Sequence, residues 1–198
     1  MYLDPLRPVA TAHTTFTPAP AARPGTARAP AALVRLILAC TLGLSACTPK
    51  YDWRDVRGDK VPFTVLLPAK PSVLSRQVNL GGIQASMTMT AAEIEDVTFA
   101  VGTAELPDAA QAQAALLVMK ETLVKNIGGV IRQEKSALGK TLSTIDVDAA
   151  APGGGSARVL HARLVASERR VYQAIVIGPA KAIRQEAVDT FLTSFKTQ

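Results

Sequence analysis

The chain reads as an α+β protein, an antiparallel β-sheet packed with two main helices. Three observations predict this. Ile83, Ala85, Met87 and Met89 alternate with Gln84, Ser86, Thr88 and Thr90, the period of a half-buried antiparallel strand. Ala112, Leu116, Met119, Leu123 and Ile127 recur at helical spacing, which marks an amphipathic helix. The order along the chain is several strands, a helix, several strands and a helix, with short connections that favour antiparallel pairing and helices laid on the sheet.

The elements follow in order. Phe63, Val65 and Leu67 alternate with Thr64 and Leu66 and are closed by Pro68 and Pro71, a first strand and a turn. Val73 to Leu80 forms a second strand ending at Gly81-Gly82. The alternating strand at Ile83 follows, then a strand from Val97 to Ala104 that Leu106-Pro107-Asp108 stops. Asp108 is suited to cap the helix, Lys120 and Lys125 suit its later turns, and Gly128-Gly129 ends it. Strands are expected over Val130 to Ala137 and Thr141 to Ala149. A flexible loop, Pro152 to Ser156, comes next. Ala157 to Val165 and Arg170 to Ile177 make a hairpin about Ser167-Glu168. Val171 to Ile177 is apolar on both faces except at Gln173, so it belongs in the centre of the sheet. Gly178-Pro179 is expected to open a last helix, with Ile183, Ala187, Val188, Phe191, Leu192 and Phe195 as its buried stripe.

The front of the chain carries an address. Residues 1–33 are rich in Pro, Ala and Thr and lack apolar periodicity, and their prolines exclude a long helix or strand. Val34-Arg35 then precede the apolar run Leu36 to Leu44. Nine residues cannot cross a hydrocarbon core, which needs ~20, but they match the ~7–15 residues of a signal-peptide h-region. Residues 1–46 are therefore expected to be an extension, disordered or untranslated, plus a signal peptide. Val34 read as a GTG start would give a compact signal peptide. Residues 47–60, polar and led by Cys47, are expected to be a lipidated tether, and residues 61–198 a single domain. Trp53, the single tryptophan, would cover the edge of the core or meet lipid headgroups, where Trp is enriched.

Leu44-Ser45-Ala46-Cys47 resembles the lipobox of bacterial lipoproteins. The resemblance implies that Leu44, Ser45 and Ala46 are read by the signal peptidase, that Cys47 carries diacylglycerol, and that its freed amino group is acylated with a palmitate-like chain. Several chains on one residue meet the requirement for stable anchoring. Thr48 in place of Asp implies the outer membrane, facing the periplasm. From Phe63 to Phe195, the stretches Phe63-Thr64-Val65-Leu66-Leu67-Pro68, Tyr172-Gln173-Ala174-Ile175-Val176 and Phe191-Leu192-Thr193-Ser194-Phe195 resemble landmarks of PsbP-like domains. That superfamily includes a Ran-binding nuclear-import factor, and its bacterial members are often lipoproteins. The resemblance implies an antiparallel sheet between helices (an α/β/α sandwich) and a binding or assembly role.

Composition and motifs narrow the chemistry. The net charge of +6 falls to +3 once Arg7, Arg23, Arg28, Arg35 and Asp4 leave with residues 1–46, an ordinary value for a soluble domain, and aromatic interleaving for nucleic-acid stacking is missing; no nucleic-acid partner is expected. Both cysteines, Cys40 and Cys47, lie at the front, so the domain has neither disulfides nor thiolate metal sites. Met87 and Met89 read as core rather than copper ligands, since no His or Cys accompanies them. Gly139-Lys140-Thr141 lacks the first glycine of a phosphate-binding loop. His161 is the sole histidine after the signal peptide, with no Gly-x-Ser-x-Gly and no zinc set around it. No metal, cofactor or catalytic residue is expected. Arg158, His161, Arg163, Arg169 and Arg170 gather on one hairpin, with His161 and Arg163 on its outer face. They read as a solvated sheet face or as a surface for an anionic partner. The expected function is thus a non-catalytic, membrane-anchored envelope module. The alternatives are a carrier or sensor of a small apolar or anionic ligand and, behind it, an envelope hydrolase.

Overall fold

The computed structural model describes residues 50–153 and 157–198. The expected signal peptide, the Leu44-Ser45-Ala46-Cys47 motif and the end of the Pro152 to Ser156 loop lie outside them. Among the described residues, ten strands and two helices make a mixed α+β fold: β1 (Arg54–Arg57), β2 (Phe63–Leu67), β3 (Ser72–Leu80), β4 (Ile83–Ile94), β5 (Val97–Glu105), α1 (Ala109–Asn126), β6 (Val130–Ala137), β7 (Leu142–Ala150), β8 (Arg158–Ser167), β9 (Arg170–Pro179), α2 (Gln185–Ser194) and β10 (Lys196–Thr197).

Seven strands form one antiparallel sheet in the order β3-β4-β5-β9-β8-β7-β6. The strand that is apolar on both faces, β9, takes the middle position. Hairpins set most of the register. Gly81 and Gly82 both have positive φ, as the tight two-residue turn between β3 and β4 requires. The Asn79 side-chain oxygen accepts from the Gly82 N–H at 2.7 Å. β1, β2 and β10 form a second, three-stranded antiparallel sheet.

The two faces of the large sheet bury different cores. Leu160, Ala162, Leu164, Val171, Ile145 and Val147 pack with Ala112, Ala115, Leu116 and Met119 of α1. Alanine on the helix lets it sit close to the strands, so burial here comes from the strand side as much as from the helix. The Asp108 carboxylate accepts from Gln111 N–H at 2.8 Å and caps α1. At the other end Gly129 N–H donates to the Val124 carbonyl at 3.1 Å, and Gly128 takes φ +61.

On the opposite face, Phe63, Val65 and Leu67 of β2 and Val188, Phe191 and Phe195 at α2 cover Phe99, Val101, Tyr172, Ala174 and Val176. All four phenylalanines of the described residues meet here. Phe99 and Phe191 stack edge-on with centroids 5.6 Å apart, a geometry favoured by the ring quadrupoles. The core on the α1 face, by contrast, contains no aromatic residue among the described residues.

Two expectations change. The last helix begins at Gln185, not after Pro179. Gly178 and Pro179 finish β9, the Ala182 N–H closes a turn on the Pro179 carbonyl at 2.9 Å, and extended Arg184 is the helix cap. The segment from Lys50 to Lys60, polar enough to be read as tether, belongs to the fold. Asp52 N–H donates to the Pro68 carbonyl at 2.9 Å, Trp53 lies edge-on against Phe99 at 6.4 Å, and β1 pairs with β2 from Arg54 to Arg57. A short edge strand packed through one residue in two has no apolar run by which to recognise it.

Candidate functional site

The five basic residues of the β8–β9 hairpin do not form one patch. Arg158 opens β8 and Arg169 and Arg170 follow its end, so the strand separates them by about 30 Å at ~3.3 Å per residue. Between them His161 and Arg163 share a face, as alternation requires, but the neighbouring strand sets a carboxylate against each. Antiparallel register sets Asp148 opposite His161 and Asp146 opposite Arg163. His161 Nδ1 lies 2.6 Å from Asp148 Oδ1, and since a carboxylate only accepts, the ring nitrogen donates. Arg163 holds Asp146 with two bonds, Nε to Oδ1 at 2.7 Å and Nη2 to Oδ2 at 3.1 Å. Its Nη1 also donates to the Leu192 carbonyl at 3.1 Å. The Asp146 hydrogen bond raises the Arg163 pKa above its already high ordinary value, against desolvation that lowers it. This pair joins β7 and β8 to the end of α2.

The turn end of the sheet offers more to a partner. Glu168 N–H donates to the Thr141 carbonyl at 3.1 Å, which ties the β8–β9 turn to the β6–β7 turn. Leu138 and Leu142 stand there 72% and 52% exposed. Lys140 lies between them in the chain, and Arg169 and Arg170 follow Glu168 out of the adjoining turn, where Arg169 Nη2 reaches Glu105 at 2.6 Å. An apolar surface with a charged rim is the usual form of a contact site. Beside it runs a shallow groove of about 380 Å³, lined by Leu142, Thr144, Arg163, Val165, Phe195 and Lys196.

Two further clefts border the small sheet. One, about 290 Å³, includes Val56, Phe63, Val73, Ser75, Thr88, Thr90 and Thr103 in its lining. The other, about 240 Å³, is bounded by Lys50, Tyr51, Trp53, Arg184, Glu186, Ala187 and Thr190. Tyr172 is fully buried, and its hydroxyl has no hydrogen-bond partner among the described residues. Burial pushes its phenol above the ordinary range, opposed by the Arg170 guanidinium. Met87 and Met89 lie on the α1 side of the sheet, with the Gln173 amide donating to Met89 Sδ at 3.4 Å.

Sequence reasoning missed Asp146 and Asp148 as partners of the basic face. Their signal was present: Thr144, Asp146 and Asp148 alternate with Ile145, Val147 and Ala149. Leu138 and Leu142 had no such signal, because two leucines flanking Gly139-Lys140 look like strand ends. Among the described residues no helix is long and apolar enough to cross a membrane. No family model and no curated protein matches this chain.

Proposed function

We propose that this chain is a cell-envelope lipoprotein, acylated at Cys47 and held at the outer membrane facing the periplasm, whose domain is a non-catalytic, PsbP-like binding or assembly module. The lipobox resemblance and the nine-residue apolar run before it support the anchor. A sheet with a helix on one face supports the PsbP-like assignment, and the other face carries a helix with an additional small sheet. The observation that carries the binding role is the exposed pair Leu138 and Leu142 beside Arg169 and Arg170. Its chemistry fits a protein surface that offers apolar side chains ringed by carboxylates.

Photo-crosslinkers placed at Leu138 and Leu142 in cells test this. The expected result is one discrete adduct, lost when Arg170 is changed to Glu. Crosslinking no different from that at an exposed site elsewhere, such as Lys70, would remove the proposed surface.

A second reading, a carrier of a small ligand, is favoured by the Thr-rich cleft between β2, β3 and β4. At about 290 Å³ it sits at the lower edge of the ~300–1,000 Å³ usual for ligand sites. Native mass spectrometry of protein extracted from membranes would find a stoichiometric small molecule if the cleft were its site.

A further inference from the structure

We infer that the cleft between the leading segment and α2 is the bilayer-facing end of the domain, where it receives zwitterionic phospholipid headgroups. The inference rests on acylation of Cys47 and adds an orientation to it.

Lys50 is three residues past Cys47, and three extended residues span at most about 10–11 Å. No slack follows, because Asp52 is bonded to Pro68 and Trp53 is packed on Phe99. A domain tied this closely cannot present an arbitrary side to the membrane. The side bearing Lys50, Tyr51 and Trp53 must stay within a headgroup layer's thickness of the acyl chains.

That side has suitable chemistry. Tyr51 and Trp53 stack with centroids 5.5 Å apart and are half-buried. Lys50 Nζ lies 5.6 Å above the Tyr51 ring and 2.5 Å from Glu95 Oε2. Across the cleft stand Arg184 and Glu186, both exposed, with Lys181 and Asp96 exposed on nearby turns. Cations and carboxylates alternate, so a purely anionic surface would meet as much repulsion as attraction. A headgroup carrying phosphate and ammonium satisfies both, the phosphate on Lys50 and Arg184 and the ammonium on Glu186. Amphipathic aromatic rings at the same level match their known preference for the membrane–water interface.

This orientation also points the Leu138–Leu142 end away from the bilayer. β6 and β8 run between the two ends, and the turns after Ala137 and Ser167 lie at the end opposite Arg158 and Val130.

Trp53 is the single tryptophan of the chain, so its fluorescence reports this surface alone. The acylated protein, its lipid verified by intact mass, is placed in phosphatidylethanolamine vesicles with and without a nitroxide on the headgroup. The expected result is loss of most Trp53 emission in the nitroxide vesicles. Quenching should weaken for the K50E/R184E double variant, and it should weaken when the zwitterionic lipid is exchanged for an anionic one. A ~20-residue Gly-Ser insertion between Thr48 and Pro49 frees the domain by about 25 Å and, combined with K50E/R184E, should restore emission. Unquenched Trp53 in protein proven to be acylated overturns the orientation and leaves the anchor standing. A protein that carries no lipid overturns both, and the mass measurement tells the two failures apart.

Discussion

Breaking the Arg163–Asp146 pair asks whether the basic face is free to bind or is spent within the fold. The perturbation is a double-mutant cycle of Arg163→Met and Asp146→Asn. Two unit charges about 4 Å apart attract by about 4 kcal/mol at an effective dielectric of ~20. The side chains are 32% and 35% exposed, so solvent screening and the entropy of holding a long side chain cut this substantially. Exposed pairs give ~0.2–1 kcal/mol, whereas hydrogen bonds to charged groups contribute ~1.5–3 kcal/mol. A two-point contact at 2.7 and 3.1 Å, one-third exposed, falls between, and the predicted coupling energy is about 1–2 kcal/mol. Arg163→Met should cost more than Asp146→Asn, because it also frees the Leu192 carbonyl. Urea denaturation of the domain beginning at Pro49 reads both, with an unchanged slope. Coupling below about 0.3 kcal/mol, within the usual scatter of additivity, would refute the clamp and return Arg163 to the surface as a free cation.

Three further outcomes follow from the packing. A Cβ on Gly58 would lie 2.4 Å from both the Phe63 ring and the Val61 carbonyl, so Gly58→Ala should cost about 1–3 kcal/mol in thermal or urea unfolding; a silent substitution would mean that residues 54–60 are the loose tether after all. Tyr172 has its pKa raised by burial, so the folded state favours the neutral phenol. Its contribution is complete below the unfolded value of about 10 and is lost as pH rises through the higher folded value. The alkaline fall in stability above about pH 10 should therefore flatten in Tyr172→Phe, and an identical alkaline limb in the variant would contradict this. Asp108→Ala should cost about 1 kcal/mol through loss of the α1 cap, measured by the same unfolding experiment, while Asp108→Asn should retain most of it.

The large sheet was legible because its signals repeat. Each of its seven strands was anticipated to within two residues at most ends, with β4 running on past Thr90 to Ile94, since alternation and Gly or Pro punctuation agree along it. The central place of β9 followed from its lack of a polar face. α1 was legible from the Ala112-to-Ile127 stripe and the Asp108 cap. What stayed hidden shares a cause. β1 and β10 are four and two residues long, shorter than any period can be read, and they exist because β2 offers them an edge. The concentration of phenylalanines on one face depends on which strands become neighbours, which spacing along the chain does not encode. At the basic hairpin the residue identities were legible but not their pairing with carboxylates, because Asp146 and Asp148 come from another strand.

The proposed anchor is a thiol at position 47 that joins this domain to a membrane. Metabolic labelling with an alkyne palmitate, followed by isolation of the protein and mass analysis of its first peptide, tests it most directly. The expected peptide begins at acylated Cys47, with label abolished by Cys47→Ser. An unlabelled chain that retains the residues before Cys47 would contradict it.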